Sequence, residues 1–499
     1  MRSGKRMSLV SLGGVAAALL LVTATGASAR NAPWDKSGIK DWAAVPAPGA
    51  EPKWQAPKAQ HFTLKNGLRV VVIENHRLPV VAFELVVNHA GSAADPAGKA
   101  GLASFTADLL DEGTGDLGAL AISERLDQLG AEAGFATSSE AAWGSLSSLT
   151  RTLDDSFDLW ARMITAPAFA DAEVKRVHAD RMTSLALRRD RPREIASLLL
   201  QGALFGPDSA YGHPGAGWAA DLGKLGAADA RAFYQARWTP ANAILVVAGD
   251  ITRKQLEPRL TRLAAWQGAS ASDAAQAAVP VPVSGGPRLL VVDRPGAEQT
   301  DLRMGLAVFP RTDARYAKFE VLRTILGDGF TSRLVQRLRE QLGYTYGIAA
   351  RVDWRRAPSP FTIASALVSP KTIEGMGEIT GIVDALAKTA VPADELDKAK
   401  LNIVRAFPQQ FETNEGIASA YAELAIFGLP DSWFASYVAA VRKVTAKDVQ
   451  ELAAALLPVG GMKVALVGDL KLLGPGLGKL GLGDAVEFDA DGLAPLKKK

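Results

Sequence analysis

Gly101-Leu102-Ala103-Ser104-Phe105-Thr106-Ala107-Asp108-Leu109-Leu110-Asp111-Glu112-Gly113-Thr114 reads as an amphipathic helix with a glycine at its entry. Leu102, Phe105, Leu109 and Leu110 form one apolar stripe, enough to seat the segment on a core. Positions 104, 107 and 108 stand at i, i+3 and i+4 and share one side of such a helix. Two imidazoles at i and i+4 can hold one Zn²⁺, and a Glu at i+3 can take a proton from the metal-bound water. Here those places carry Ser104, Ala107 and Asp108. Ser104 and Ala107 are not useful zinc ligands, and Asp108 alone makes no site. The chain's five His (His61, His76, His89, His178, His213) include no pair at i, i+3 or i+4.

On either side of this stretch, strand and helix patterns alternate in mixed order. A strand pattern begins at His61-Phe62-Thr63-Leu64. Asn66-Gly67 marks a tight hairpin turn before Leu68 to Ile73, and a further strand runs from Val80 to Asn88. Helical patterns follow around 102–111 and 119–129, strand-like runs around 133–149, and helices around 153–163 and 172–189. The second half then repeats the first. Ile195-Ala196-Ser197 recurs as Ile417-Ala418-Ser419, Leu204-Phe205-Gly206 as Ile426-Phe427-Gly428, and Glu173 as Glu395, all at one offset (417 − 195 = 222). Val247-Ala248-Gly249-Asp250-Ile251 recurs as Leu466-Val467-Gly468-Asp469-Leu470, and Asp229 as Asp448, both at a second offset (466 − 247 = 219). A constant offset with one three-residue gap indicates two homologous domains. The expected organisation is one homologous domain over 59–267, a small-residue linker over 268–286, and a second homologous domain over 287–475. An extended Pro-, Ala- and Trp-rich arm (30–58) precedes them and a C-terminal tail (476–499) follows. The mixed order with early hairpins predicts an α+β class: two domains, each a mostly antiparallel sheet with helices packed on one face.

The stretch 1–29 reads as a secretory signal. Arg2, Lys5 and Arg6 form a basic start, Val15 to Val22 an apolar centre, and Ala27-Ser28-Ala29 a cleavage site. No later stretch is apolar and long enough to span a bilayer. The chain has no Cys, which excludes disulfides, thiol catalysis and thiolate metal sites. Its 499 residues carry a net charge of +3 with both signs interspersed, so nothing in the charge pattern points to nucleic acid. Together these features lead one to expect a bacterial periplasmic or exported protein.

A second motif lies in the second repeat. Gly327-Asp328-Gly329-Phe330-Thr331-Ser332-Arg333-Leu334 leads into Val335-Gln336-Arg337-Leu338-Arg339-Glu340-Gln341-Leu342-Gly343-Tyr344-Thr345-Tyr346-Gly347. Leu334, Val335, Leu338 and Leu342 make a buried stripe, and Gly343 suits a helix C-terminus. Arg337 near the end of that helix and Tyr344 just past it can then reach one spot. The plainer readings are a solvated Arg337 paired with Glu340 or Gln341, and a Tyr344 packed on the core.

Both motifs resemble the pitrilysin/insulinase family of zinc metallopeptidases. There the first stretch reads G-L-A-H-F-x-E-H-x-x-x-x-G-T. This chain keeps Gly101-Leu102-Ala103, Phe105 and Gly113-Thr114 but has lost both His ligands and the Glu base. The family's third ligand is a Glu some seventy to eighty residues further on. Here 174–193 contains no Glu, and Asp180 is the nearest acidic candidate. The resemblance implies two domains clasped around a chamber. It also implies that Arg337 holds substrate backbone and that the Tyr344 hydroxyl hydrogen-bonds the oxyanion of a tetrahedral intermediate, with Tyr346 the competing tyrosine. The expectation is a noncatalytic subunit of a periplasmic heterodimeric zinc endopeptidase. It would hold no cofactor of its own, zinc would sit in a homologous H-x-x-E-H-bearing partner, and peptides would be the substrates. The alternative is a proteolytically inactive structural or peptide-binding scaffold of the same fold.

Overall fold

The computed structural model describes residues 54–268, 281–492 and 494–496. The expected signal peptide, most of the arm and most of the linker lie outside the described residues.

The first sheet contains β1 (Ala59–Thr63), β2 (Arg69–Glu74), β3 (Val80–Asn88), β4 (Glu132–Thr137), β5 (Ala141–Leu149) and β6 (Ala243–Gly249), in the order β1-β2-β6-β3-β5-β4. The second contains β7 (Leu289–Asp293), β8 (Gln299–Val308), β9 (Ile348–Val352), β10 (Ser359–Val368), β11 (Lys463–Gly468) and β12 (Ala485–Phe488), in the order β12-β7-β11-β8-β10-β9. Apart from the outermost β1 and β12, the two orders are the same. Most neighbours run antiparallel. β2 and β6 are parallel, as are β7 with both β11 and β12. Gly67, at φ +93°, closes the β1–β2 hairpin as the Asn66-Gly67 pair requires. The sequence suggests only a tail beyond 475. Instead Ala485–Phe488 forms the edge strand of the second sheet.

The helices that matter here are α1 (Leu102–Ala107), α2 (Ala119–Leu129), α3 (Leu153–Thr165), α4 (Asp171–Ala186), α5 (Pro192–Phe205), α6 (Tyr316–Gly327), α7 (Thr372–Lys388) and α8 (Asn414–Phe427). Each sheet carries its own helices on one face, as the element order implies. In the first sheet Val81, Phe83, Leu85 and Val87 pack against Phe157 and Trp160 of α3 and their neighbours. The opposite face takes a helix from the other repeat. α8 lies across β3 and β6, and α5 lies across β8 and β11. These two helices carry the repeated triplets Ile195-Ala196-Ser197 and Ile417-Ala418-Ser419, so the repeats exchange equivalent elements. With both faces covered, the inner strands read as near-continuous apolar runs. Arg356 fastens the halves further: its guanidinium donates to Asn88 Oδ1 (2.6 Å) and to Ile426 O (2.8 Å).

Candidate functional site

α1 is shorter than the apolar stripe suggested: it ends at Ala107, with Asp108 as its C-cap. Its start is pinned from two directions. Gly101 is left-handed (φ +93°), and Asp95 accepts the amides of Gly101 and Ala103, each at 2.7 Å. Burial pushes the Asp95 carboxyl up to about 7, while those two amide bonds pull it down. Gly101 also touches Gly217 backbone to backbone. A Cβ on Gly101 would stand 2.7 Å from Ala216 O, and one on Gly217 would stand 2.1 Å from Ala100 O. The loop 214–217 is therefore pressed against α1, and Ser104 Oγ donates to Gly215 O at 2.6 Å.

Arg181 from α4 reaches into the same place. Its Nη1 donates to Asp108 Oδ2 at 2.5 Å, and its Nη2 donates to Ser104 Oγ at 2.7 Å and to Ala216 O at 3.1 Å. Its side chain is 13% exposed. The guanidinium thus bridges the two positions that would be imidazoles in a zinc site, and Ala107 between them is fully buried and has only a methyl group. Asp180, the expected stand-in for the third ligand, turns away: it accepts from Arg176 at 3.1 Å and is largely exposed. These residues do not fit zinc. A hydroxyl, a methyl and a carboxylate already paired with a fixed cation give no second cation a full set of donors. Among the described residues, no group of three His, Asp or Glu is placed to hold a metal ion.

The second motif forms a site of a different kind. After a first turn at Arg333 and Leu334, residues Val335–Gln341 wind as a π-helix; Leu342 N bonds to Arg337 O (3.1 Å). Such wider turns are frequent at functional sites. Gly343, at φ +63°, ends the helix in the left-handed conformation expected of it, and β9 begins at Ile348. Leu334 and Leu338 are fully buried, which fixes the helix against the core. Arg337 and Tyr344 both turn toward α7. Arg337 donates Nε and Nη2 to the two carboxylate oxygens of Glu378 (2.8 and 2.9 Å) and Nη1 to Gln341 (3.1 Å). The Tyr344 hydroxyl donates to Glu374 at 2.8 Å, one turn earlier on α7. Lys371 also donates to that Glu374 oxygen, at 2.9 Å. A groove of about 540 Å³ opens beside Tyr344, Glu374 and Glu378, with Arg333 on its wall. The hydrogen bond to Glu374 raises the Tyr344 pKa, so the phenol keeps its proton at neutral pH. The bond to Glu378 likewise raises that of Arg337, and Arg337 in turn holds Glu378 below the usual carboxylate range.

The structure thus brings Arg337 and Tyr344 to one acidic helix face. The expected Gln341 contact of Arg337 is present too, but it is secondary to the forked bond with Glu378. Tyr346 stands apart. It is 85% exposed and stacks on the Arg339 guanidinium, whose carbon lies 5.0 Å from its ring centre. Sequence reasoning missed Arg181, Glu374 and Glu378. The one signal for Arg181 was its sequence separation from Ser104 (181 − 104 = 77), within the range of the family's third ligand.

Comparison with known proteins accords with this geometry. Residues 69–195 match the insulinase family pattern, peptidase family M16, and residues 224–403 match the peptidase M16 inactive domain. An uncharacterized zinc protease of Mycobacterium bovis is 28% identical over 354 residues, covering 68% of this chain and 77% of that protein. The non-peptidase homolog YmxG of Helicobacter pylori is 23% identical over 421 residues, covering 81% and 92%. The crystal structure of a peptidase M16 inactive domain from Pseudomonas fluorescens shares the fold. Its TM-score is 0.75 at 23% identity, covering 83% of this chain and 98% of that one. The chain belongs to the pitrilysin/insulinase family, M16.

Proposed function

We propose that this chain is the noncatalytic subunit of a periplasmic two-chain zinc endopeptidase, lending Arg337 and Tyr344 to a site whose zinc sits in a homologous partner. The observation that carries this reading is the contrast between the two motifs. The metal frame is filled by Arg181, whereas Arg337 and Tyr344 meet one face of α7, where Tyr344 and Glu378, the partner of Arg337, line an open groove. The metal of the partner would activate a water for attack on a peptide carbonyl. This chain's part is to hold and to donate. Arg337 keeps its shape through the Glu378 fork and presents its remaining N–H groups to substrate backbone carbonyls. The Tyr344 hydroxyl, a protonated phenol at neutral pH, leaves Glu374 to donate to the developing oxyanion, a contribution of a few kcal/mol when well aimed. Extended peptides are the fitting substrates, since backbone recognition needs no particular side chain.

The test is affinity purification of the tagged protein from its native periplasm. A near-stoichiometric partner bearing H-x-x-E-H supports the shared site. Recovery of the protein alone, or within an unrelated complex, contradicts it. One observation favours the scaffold reading instead: both Arg337 and Tyr344 are already satisfied by glutamates of this chain. Under that reading Arg337→Ala and Tyr344→Phe leave every peptidase rate unchanged.

A further inference from the structure

At one end of the first sheet β1, β2 and β6 lie side by side, and their register sets which side chains share a face. Thr63 stands opposite Arg69, and Arg69 opposite Ile244. His61 stands opposite Val71. Paired residues share a face, and this is the face that α8 crosses. Between this corner of the sheet and the C-terminal end of α8 lies a cavity of about 460 Å³. Val71, Ile244, Leu424, Ala425 and Leu429 give it apolar walls. The Tyr421 hydroxyl donates to Pro57 O and so ties the chain entering β1 to α8.

The polar side chains of the cavity are unevenly matched. Asp431 is paired with His61 at 2.7 Å. Arg69 has no hydrogen-bond or ion-pair partner among the described residues, and neither has the Thr63 hydroxyl across from it. Burial lowers the Arg69 pKa, and no carboxylate offsets that cost.

The second repeat closes the equivalent corner. Lys463 stands where the first repeat has Ile244, and Arg288 where it has Arg69 (463 − 244 = 288 − 69 = 219). Ala203 on α5 corresponds to Ala425 on α8 (425 − 203 = 222). Lys463 is buried and donates its ammonium to Ala203 O at 2.6 Å, which fills the space under the helix end. Arg288 is spread over the carbonyls of Met462 (3.4 Å), Val459 (3.5 Å) and Gly481 (3.5 Å). In the first repeat Ile244 is shorter and carries no charge, and Arg69 is left unsatisfied. The cavity is what that difference leaves.

An apolar pocket with one forked cation and a hydroxyl beside it suits a carboxylate on an alkyl chain. The guanidinium can take both carboxylate oxygens, and the walls can take the chain. A dianion would meet only one unmatched cation there.

We propose that this cavity binds a small monocarboxylate bearing an alkyl chain, with its carboxylate on Arg69 and Thr63 and its chain against Val71, Ile244 and Leu424. The site shares no residue with the Arg337–Tyr344 groove or with the filled metal frame. Its test therefore needs no zinc-bearing partner, and its failure leaves the shared-site reading untouched. The measurement is isothermal titration calorimetry of the full chain with octanoate, with hexanoate and octanol as comparisons. Octanoate should bind saturably, at one site per chain. Hexanoate is two CH₂ groups shorter and should bind about tenfold more weakly. Octanol has the chain without the charge and should bind at least about tenfold more weakly. Arg69→Met should weaken octanoate by a similar factor; the side chain it removes is exposed and leaves no partner unsatisfied. No saturable binding of octanoate, equal affinity for octanoate and either comparison, or an affinity unchanged in Arg69→Met overturns the proposal.

Discussion

Replacing Arg181 by Met keeps most of the side chain's bulk and removes the cation that fills the degenerate metal frame. The loss can be built from its three contacts. Hydrogen bonds to charged groups contribute about 1.5–3 kcal/mol each when well shielded. Here Asp108 is 45% exposed, so water takes over much of what the guanidinium gave it. Ser104 Oγ loses the Arg181 donor but keeps its own bond to Gly215 O, and the Ala216 carbonyl loses its Arg181 donor as well. The expected destabilisation is about 2–3 kcal/mol, below the roughly 3–5 kcal/mol of breaking a wholly buried pair. Urea unfolding at neutral pH reads the total, and amide hydrogen exchange locates it, with faster exchange expected over α1 and the loop 214–217. A change under about 0.5 kcal/mol with unaltered exchange there would refute the reasoning. The frame can also be tested from the metal side. Ser104→His, Asp108→His and Arg181→Glu combined should gain a zinc that survives dialysis, while the unaltered chain carries none. One zinc per chain in the unaltered protein would contradict the assignment outright.

Glu84→Gln tests a buried carboxyl of β3, unpaired among the described residues, by its pH dependence. Because burial raises the folded-state pKa above the unfolded value, ionisation costs stability as pH rises through about 4.5 to 7, and the cost then stays constant. The variant should therefore match the parent near pH 4 and exceed it by about 3 kcal/mol at pH 8 in denaturant unfolding; equal stability at both pH values would show that Glu84 is solvated. Gly101→Ala and Gly217→Ala each force a side chain into left-handed backbone, at about 1–2 kcal/mol before the clashes with Ala216 and Ala100 are counted. Both should unfold at lower urea than the parent, and parental midpoints would count against the pinned entry to α1. Arg356→Ala removes the donors to Asn88 and Ile426 and should cost about 2–4 kcal/mol, read as earlier thermal unfolding; an unchanged melting temperature would mean that the halves are held by apolar packing alone.

The repeat was legible because its two constant offsets survive wherever equivalent residues meet equivalent surroundings. Ile195-Ala196 and Ile417-Ala418 are buried on the exchanged helices, and each pair must fit a sheet. That the helices are exchanged was not legible, since periodicity shows that a helix has an apolar face but not which sheet receives it. The parallel pairs escaped for a similar reason. β2 and β6 are neighbours in space but lie far apart along the chain. The tail strand Ala485–Phe488 is short and bordered by glycines, too weak a pattern to stand out. At the candidate site, spacing and the Gly343 stop were enough to bring Arg337 and Tyr344 together. Their glutamate partners were hidden because Glu374 and Glu378 look like any solvated i, i+4 pair on a helix. Arg181 was hidden among the charges of Lys175 to Arg181. Its role depends on which side of α4 meets α1, and no local pattern records that.

The most direct test of the central claim is the peptide-hydrolysis rate of this chain reconstituted with the zinc-bearing partner it co-purifies with, comparing Tyr344 with Phe at that position. If the Tyr344 hydroxyl serves the partner's site, Tyr344→Phe lowers the turnover rate by about ten- to a thousandfold while the two chains still associate. An unchanged rate in an intact pair would contradict the account and leave Arg337 and Tyr344 as residues that hold α7 in place.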